Sequence, residues 1–311
     1  MADRSLQVVM YHYVRDLPRT AFPRIKGMLS EDFRVQVDRL ASEFEMASLD
    51  SALDFLEGRY EPKRDLCLLS FDDGLKDHFE TVTPVLAERH IQGVFFLVTS
   101  CVEEHRVASV HKNHFLMASL EFDEYRSAFL HAAGDGAAVA AVDTAIAQRT
   151  YPWDTREVAV FKYFFNFLLN AEVRDRAVDT LFERYLGRED AFARQLYLSW
   201  DEAKQMQRAG MSIGGHTHEH RPLAALDHAA LGRDLAACRN LLEQNLLPQR
   251  SWPFSYPYGK KDSFTEDAVR RVRALGFACS FSTEQGANRP GDDLFAIRRI
   301  DCKVAVPKGV A

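Results

Sequence analysis

One segment of the sequence reads Leu66-Cys67-Leu68-Leu69-Ser70-Phe71-Asp72-Asp73-Gly74. Its apolar run, bounded by a glycine, has the composition of a buried strand in a parallel sheet. Two adjacent carboxylates at a strand end are costly to hold without a compensating cation. Because α/β enzymes place their chemistry at the carboxyl ends of parallel strands, the segment predicts a functional site there. A solvated turn, in which one aspartate caps the next helix, is the alternative interpretation.

The composition excludes several classes of function. The 311 residues include 47% hydrophobic and 27% charged residues, which is ordinary for a globular protein. A net charge of −6 argues against general nucleic-acid binding, which needs a basic surface. No apolar run reaches the roughly 18 residues of a membrane span, and Met1–Ser5 shows no secretory-signal pattern. Five scattered cysteines fit no zinc-knuckle or disulfide framework. We therefore expect a cytoplasmic protein without a transmembrane segment.

Strands and helices alternate outside one long stretch, 101–198, whose pattern is mostly helical. This alternation is typical of parallel strand–helix–strand units, and the stretch reads as an insertion. The other predicted strands are Leu6–Val14, Val94–Val98, Met211–Ile213, Ser251–Tyr256, Phe277–Phe281 and Leu294–Ile300. Predicted helices include one that a Ser199–Glu202 capping box starts, a long one over Leu223–Leu247 and one beginning at Ser263.

A second polar cluster follows the strand at Met211–Ile213 and contains three histidines. His216 and His220 would share one face of a helical turn, whereas an extended segment would align His218 with both of them. Catalytic zinc sites use three protein ligands and keep one position open. Two of these histidines and one carboxylate of the Asp72-Asp73 pair would complete such a site.

Three segments resemble signature motifs of the polysaccharide deacetylases, the NodB-homology group or carbohydrate esterase family 4. They are Ser70–Gly74, His216-Thr217-x-x-His220 and Phe254–Gly259, in the order that the family has them. The resemblance covers about 6–100 and 199–300, and Met10–Val14 is similar to the branch that contains the poly-N-acetylglucosamine deacetylases. It implies a distorted (β/α)7 barrel, which we expect to form a single domain over 1–311 with the helical insertion inside it.

The resemblance also implies an activity, the metal-dependent removal of an N-acetyl or other N-acyl group from an amino sugar. It assigns Asp73, His216 and His220 as ligands of one divalent metal and Asp72 as the catalytic base. We expect Zn²⁺, with Co²⁺, Ni²⁺ and Fe²⁺ as alternatives. The backbone N–H of Tyr258 would help to stabilise the oxyanion.

Two departures from the family pattern concern the proton-transfer groups. Many members carry an arginine that orients the base, and this chain has Ser255 at that place; Arg298 or Arg299 could substitute, or either could be a surface residue. The C-terminal Leu-x-x-His motif, which supplies the acid, is also missing. In the branch with a rearranged N-terminus a first-strand histidine takes its place, so His12 is the predicted acid. A buried structural histidine is the alternative.

Basic residues on two predicted loops suggest the substrate class. Arg24 and Lys26 follow the first strand, and Lys112 and His114 open the insertion. A helical insertion at the catalytic end would wall the cleft, and basic groups around a walled pocket favour a small anionic substrate. We expect a small or nucleotide-linked N-acetyl sugar, a precursor of a surface polysaccharide. A solvated loop and a helix cap are the alternatives.

Three other functions fit part of the pattern. The same fold hosts hydrolases of other amides and of cyclic imides. Two histidines and a carboxylate also describe the site of an iron oxygenase, although the second aspartate argues against that function. A non-catalytic carbohydrate-binding protein on a decayed enzyme scaffold would have lost ligands or base, and this chain keeps them all.

Overall fold

The computed structural model describes residues 4–134 and 142–305, so Met1–Asp3 of the N-terminal segment lie outside it. The chain separates into two compact units. Within the described residues, the first unit comprises 4–16, 26–105 and 194–305, and the second comprises 17–25, 106–134 and 142–193. The second unit overlaps the predicted insertion, 101–198, and also takes in the segment 17–25. The division into one domain with an insertion stays a prediction.

The strands of the first unit are short, and most of them belong to one parallel sheet. In chain order they are β1 (Leu6–Tyr11), β2 (Val14–Arg15), β3 (Met28–Leu29), β4 (Glu45–Met46), β5 (Leu66–Phe71), β6 (Gly93–Leu97), β7 (Ser212–Gly215), β8 (Pro253–Ser255), β9 (Cys279–Phe281) and β10 (Ile300–Asp301). The main sheet has the order β10-β1-β5-β6-β7-β8-β9, with β4 paired to β5, and β2 pairs with β3 separately. From β1 to β9 the order of strands across the sheet follows the chain, as expected of successive parallel strand–helix–strand units.

The last strand segment closes the ring of strands. Ile297 forms a parallel bridge with Phe281 of β9, and Ile300 pairs with Val9 of β1. The same short segment thus touches both ends of the sheet. This arrangement confirms the predicted distorted (β/α)7 barrel, although the predicted strand Leu294–Ile300 is reduced to one bridge and a two-residue strand.

Helices follow most strands. They are α1 (Ser30–Glu43), α2 (Leu49–Leu56), α3 (Thr83–Glu88), α4 (Thr99–Glu103), α5 (Ser109–Ser119), α6 (Phe122–Ala133), α7 (Thr144–Thr150), α8 (Arg156–Tyr163), α9 (Ala171–Leu186), α10 (Glu189–Leu196), α11 (Trp200–Arg208), α12 (His228–Asn245) and α13 (Glu266–Ala274). The second unit is helical and has its own aromatic core around Tyr125, Phe129 and Phe165. No helix among residues 4–134 and 142–305 is long and apolar enough to cross a membrane.

Side-chain caps decide where the helices begin. The predicted capping box between Ser199 and Glu202 is present at α11. The predicted start of the long helix at Leu223 is wrong, because the Asp227 side chain accepts from the Ala230 N–H and begins α12 at His228. The start predicted at Ser263 is wrong as well, because Thr265 caps α13.

The barrel core explains why β5 reads as an unbroken apolar run. Every residue of β5 and β6 is buried, as expected for parallel strands that are covered on both faces. The rings of Tyr11, Phe71 and Phe95 stack from β1 across β5 to β6, with centroids 5.0 and 4.6 Å apart. This packing aligns the three strands, so that their carboxyl ends lie side by side.

A substitution of Gly214 tests how closely β7 packs against β8. A Cβ added to Gly214 would lie 2.2 Å from the Pro253 carbonyl oxygen, which belongs to a neighbouring strand and cannot rotate away. We expect Gly214→Ala to lower the free energy of unfolding by about 1–3 kcal/mol, the usual cost of overpacking, measured by denaturant unfolding. The matched control is Gly232→Ala in α12, where the Cβ would meet only the flexible end of Arg271. Equal stability of the two variants would contradict this packing.

Candidate active site

Polar residues follow the carboxyl ends of adjacent strands in the first unit. Asp72 and Asp73 come after β5, His216 after β7, and His12 after β1. Tyr258 lies in the turn that follows β8. Since all four strands run parallel in one sheet, these residues meet at one edge.

Asp73, His216 and His220 form a buried group that could hold a metal ion. One ligand atom from each residue lies within 4.8 Å of the others. The Asp73 Oδ1 atom is 3.6 Å from His216 Nε2 and 3.3 Å from His220 Nε2. Two imidazole nitrogens and one carboxylate oxygen match the donor set of a three-ligand catalytic metal site.

The state of His216 fits the role of a metal ligand. Its Nδ1–H donates to the Ser255 carbonyl oxygen at 2.7 Å, which leaves the Nε2 lone pair directed toward Asp73. Burial lowers the pKa of His216 to about 4, against an opposing effect of Asp72. A neutral imidazole held in one tautomer by a backbone carbonyl is the usual outer support of a ligating histidine.

The histidine segment is neither the helical turn nor the extended strand considered from the sequence. Thr217 and His220 adopt left-handed backbone conformations, with φ of 66° and 56°. The Thr217 hydroxyl oxygen accepts from the His220 N–H at 2.9 Å and closes this irregular loop. His218 lies apart from the group and contacts Thr99 and Glu104 at 3.0 and 3.1 Å.

Asp234, on α12, supports this loop, and the sequence analysis missed it. Its two carboxylate oxygens accept from the N–H groups of His218 and Glu219 at 3.0 and 2.9 Å. Asp234 is buried on the helix face that also carries Leu235 and Cys238. A charged residue on the apolar face of a predicted helix is the signal that could have revealed it.

Arg299 binds Asp72, the aspartate that is not part of the group formed by Asp73 and the two histidines. Its Nη1–H and Nη2–H donate to Asp72 Oδ1 and Oδ2, both at 2.8 Å. The Nη2 group also donates to the Ser255 hydroxyl at 3.0 Å, and Nε–H donates to the Ser282 carbonyl at 2.8 Å. Arg299 is only 1% exposed, so this bidentate pair is desolvated. The arginine therefore reaches Asp72 from the last strand segment, and Ser255 leaves the space for it.

The environment of Asp72 keeps its carboxylate ionised. Burial by itself would raise its pKa, but the Arg299 guanidinium brings the pKa below its usual value. An ionised carboxylate that is not a metal ligand is the form that can accept a proton.

His12 and Tyr258 lie at the edges of this group. The His12 Nε2 atom is 3.9 Å from Asp72 Oδ2, and its side chain is 43% exposed. The predicted alternative, a buried structural histidine, is therefore wrong. Tyr258 has a left-handed backbone, with φ of 63°, and its ring centroid is 5.4 Å from that of His220.

Arg298 and Lys26 belong to the first unit but have other surroundings. The Arg298 guanidinium pairs with Asp292, and it makes no described contact with Asp72, unlike its neighbour Arg299. Lys26 is exposed.

Arg24, Lys112 and His114 belong to the second unit. Arg24 donates to two backbone carbonyls and a glutamate of that unit. Lys112, which was predicted to contact substrate, is 2% exposed and forms ion pairs with Asp179 and Glu189. His114 is partly exposed. The charges of Arg24 and Lys112 are thus already balanced inside their own unit.

Comparison with known proteins identifies related sequences. The family model for polysaccharide deacetylase matches residues 59–151 and 162–280. A curated relative from Bacillus subtilis (strain 168), "Putative polysaccharide deacetylase YxkH", is 26% identical over 104 residues. That match spans 33% of this chain and 36% of the relative, so it covers about a third of each protein.

Solved structures share the fold. IcaB from Ammonifex degensii has a TM-score of 0.56 at 20% identity, and the match covers 96% of this chain and 91% of IcaB. The Streptococcus pyogenes deacetylase PplD, determined in complex with acetate, has a TM-score of 0.60 at 14% identity, with 96% and 93% covered. At these identities the likeness concerns the fold. The family model, in contrast, matches well over half of the sequence. The chain therefore belongs to the polysaccharide deacetylase family.

Proposed function

We propose that this chain is a metal-dependent hydrolase that removes the N-acetyl group from an amino sugar. The observation that supports this best is the adjacency of two aspartates with different surroundings. Asp73 lies among the nitrogens of His216 and His220, whereas Asp72 is held by Arg299. A ligand set beside a separate, ionised base is the arrangement that metal-assisted amide hydrolysis needs.

Asp73, His216 and His220 would hold the metal. When bound, a divalent ion would polarise the amide carbonyl and lower the pKa of a water molecule. We propose Zn²⁺, with Co²⁺, Ni²⁺ and Fe²⁺ as alternatives, because imidazole and carboxylate donors suit all four.

Asp72 would act as the general base. Arg299 fixes both carboxylate oxygens, so the side chain cannot rotate toward the ligand group and compete with Asp73. The same ion pair keeps the pKa of Asp72 low, and the carboxylate is therefore ready to take a proton from water near neutral pH.

His12 would act as the general acid toward the leaving amine. Its Nε2 atom is 3.9 Å from Asp72 Oδ2, and its side chain is exposed enough to reach a substrate. The Tyr258 backbone N–H is the proposed donor to the oxyanion, since its left-handed turn follows the same edge of the sheet.

The acyl group and the sugar are parts of the same proposal. Acetate, the acid that deacetylation releases, is present in the related PplD structure, which supports an acetyl group here. A small or nucleotide-linked sugar is the narrower proposal. It loses the support of Arg24 and Lys112, whose charges are neutralised within the second unit. Lys26, which is exposed, stays a proposed substrate contact. A cytoplasmic location is supported by five free thiols, four of them buried.

The proposed function is tested by acetate release from a panel of N-acetylated monosaccharides, nucleotide sugars and oligosaccharides. For Asp72→Asn we expect a loss of roughly 10²–10⁴-fold in kcat, the usual contribution of a general base. Metal content, measured by mass spectrometry, should not change, because the three ligands are intact.

The matched control is Asp292→Asn, which removes a carboxylate from the neighbouring arginine, Arg298, away from the ligand group. It should turn over at the wild-type rate. An Asp72→Asn protein that keeps both its metal and its rate would eliminate Asp72 as the base.

Asp234 provides a test of metal affinity. In Asp234→Asn, one carboxylate oxygen becomes an NH₂ group that cannot accept from the loop N–H, so His220 should be held less firmly. We expect metal affinity to fall about 10–100-fold, as with other outer supports of metal ligands, measured by competition with a chelator on the metal-free protein. Asp227→Asn, at the cap of the same helix, is the control, since asparagine caps as well as aspartate. Unchanged affinity in Asp234→Asn would contradict the supporting role.

A further inference from the structure

The segment that carries His12 is fastened by the residues that follow β5. The Tyr11 carbonyl oxygen accepts from the Asp72 N–H at 3.0 Å. One residue later, the His12 carbonyl oxygen lies 3.0 Å from His78 Nε2. Beyond it, the Asp77 carboxylate accepts from the Val14 N–H at 3.2 Å. Three successive points around His12 are therefore held from the chain segment that also contains the proposed base.

His78 is built into this position. It is fully buried, and its ring lies 5.6 Å from the rings of both Phe71 and Phe95. It begins a π-helical turn, His78–Val82, in which its own carbonyl accepts from both the N–H and the hydroxyl of Thr83. Such turns are rare and frequently occur at functional sites.

The hydrogen bond fixes the tautomer of His78. A carbonyl oxygen can only accept, so Nε2 must carry the proton. The Nδ1 atom is buried and has no hydrogen-bond partner among the residues that the structure describes. Burial also lowers the pKa of His78 to about 4, which keeps the ring neutral near pH 7. The neutral His78 ring therefore has one N–H to donate. In the part of the chain that the structure describes, this N–H donates to the His12 carbonyl oxygen.

We propose that His78 is a positioning residue that sets the place of the His12 imidazole relative to Asp72 by holding the His12 carbonyl. The inference rests on the proposed function in one respect, the role of His12 as the acid. The His12 side chain is 43% exposed, so surrounding side chains cover only part of it. Its backbone anchor therefore determines where the proton donor stands, and misplacement by about 1 Å can be costly to catalysis.

Two substitutions of His78 by side chains of similar shape distinguish the effect of its hydrogen bond from the effect of its packing. His78→Gln keeps an N–H near the Nε2 position, whereas His78→Met lacks a donor, and both lose the same ring contacts. With wild-type metal content, we expect kcat for acetate release to fall roughly tenfold in His78→Met, about the effect of one buried hydrogen bond, with KM unchanged. His78→Gln should stay within about threefold of the wild type. Equal losses in the two variants would overturn the proposal in favour of a packing role.

A double-mutant cycle with His12→Ala tests whether His78 acts through His12. If it does, His78→Met should cost nothing further once the His12 imidazole has been removed. The same loss in both backgrounds would mean that His78 acts elsewhere and would overturn the proposal.

Crystal structures of His78→Met and His78→Gln test the positioning role independently of any activity measurement. We expect the His12 Nε2 to Asp72 Oδ2 distance, now 3.9 Å, to lengthen in the methionine variant and to be kept in the glutamine variant. An unchanged distance in His78→Met would overturn the inference. If His12→Ala alone keeps the wild-type kcat, the acid assignment fails instead, and the structures still decide whether His78 positions His12.

Discussion

The bidentate ion pair between Asp72 and Arg299 joins the end of β5 to the last strand segment of the sheet. Arg299 immediately precedes β10, on the segment that closes the ring between β9 and β1. The segment that closes the barrel therefore also holds Asp72, the proposed base. Removing either partner would leave an uncompensated buried charge, which typically costs about 3–5 kcal/mol. The pair also gives two adjacent aspartates different surroundings. Asp72 binds the Arg299 guanidinium, whereas Asp73 lies beside the imidazoles of His216 and His220.

Backbone strain concentrates around the same group. Asp73, Thr217, His220 and Tyr258 all have positive φ without being glycine. Such conformations persist only where the surroundings impose them. Here the supports include the Thr217 hydroxyl, the Asp234 carboxylate and the Thr283 hydroxyl, which donates to the Tyr258 carbonyl. Strand ends position Asp73 and His216, and a short loop held by side-chain hydrogen bonds positions His220.

The sequence predicts those features that are local or belong to a motif. The apolar run of β5 indicates its burial, and the two aspartates indicate a site at its end. A helical turn would place His216 and His220 on one face, and the structure brings them together through a left-handed loop instead. Residue spacing can therefore indicate neighbouring side chains even where the backbone differs from the expected turn.

Long-range pairings could not be predicted in the same way. A choice between Arg298 and Arg299 depends on register, since neighbouring residues of an extended segment point to opposite sides. Lys112 looks like a substrate contact until Asp179 and Glu189 are known to neutralise it. Asp234 and His78 contact backbone groups of distant segments. The sequence offers a signal for Asp234 alone, its place on the apolar face of a predicted helix.

We infer that Asp73, His216 and His220 form one metal site and that Asp72 stays outside it. A crystal structure of the protein loaded with Zn²⁺ tests it most directly. We expect one ion with ligand distances of about 2.0–2.2 Å to those three residues, and an intact ion pair between Asp72 and Arg299. An ion bound through His218 or Asp72, or no ion at this group, would contradict it.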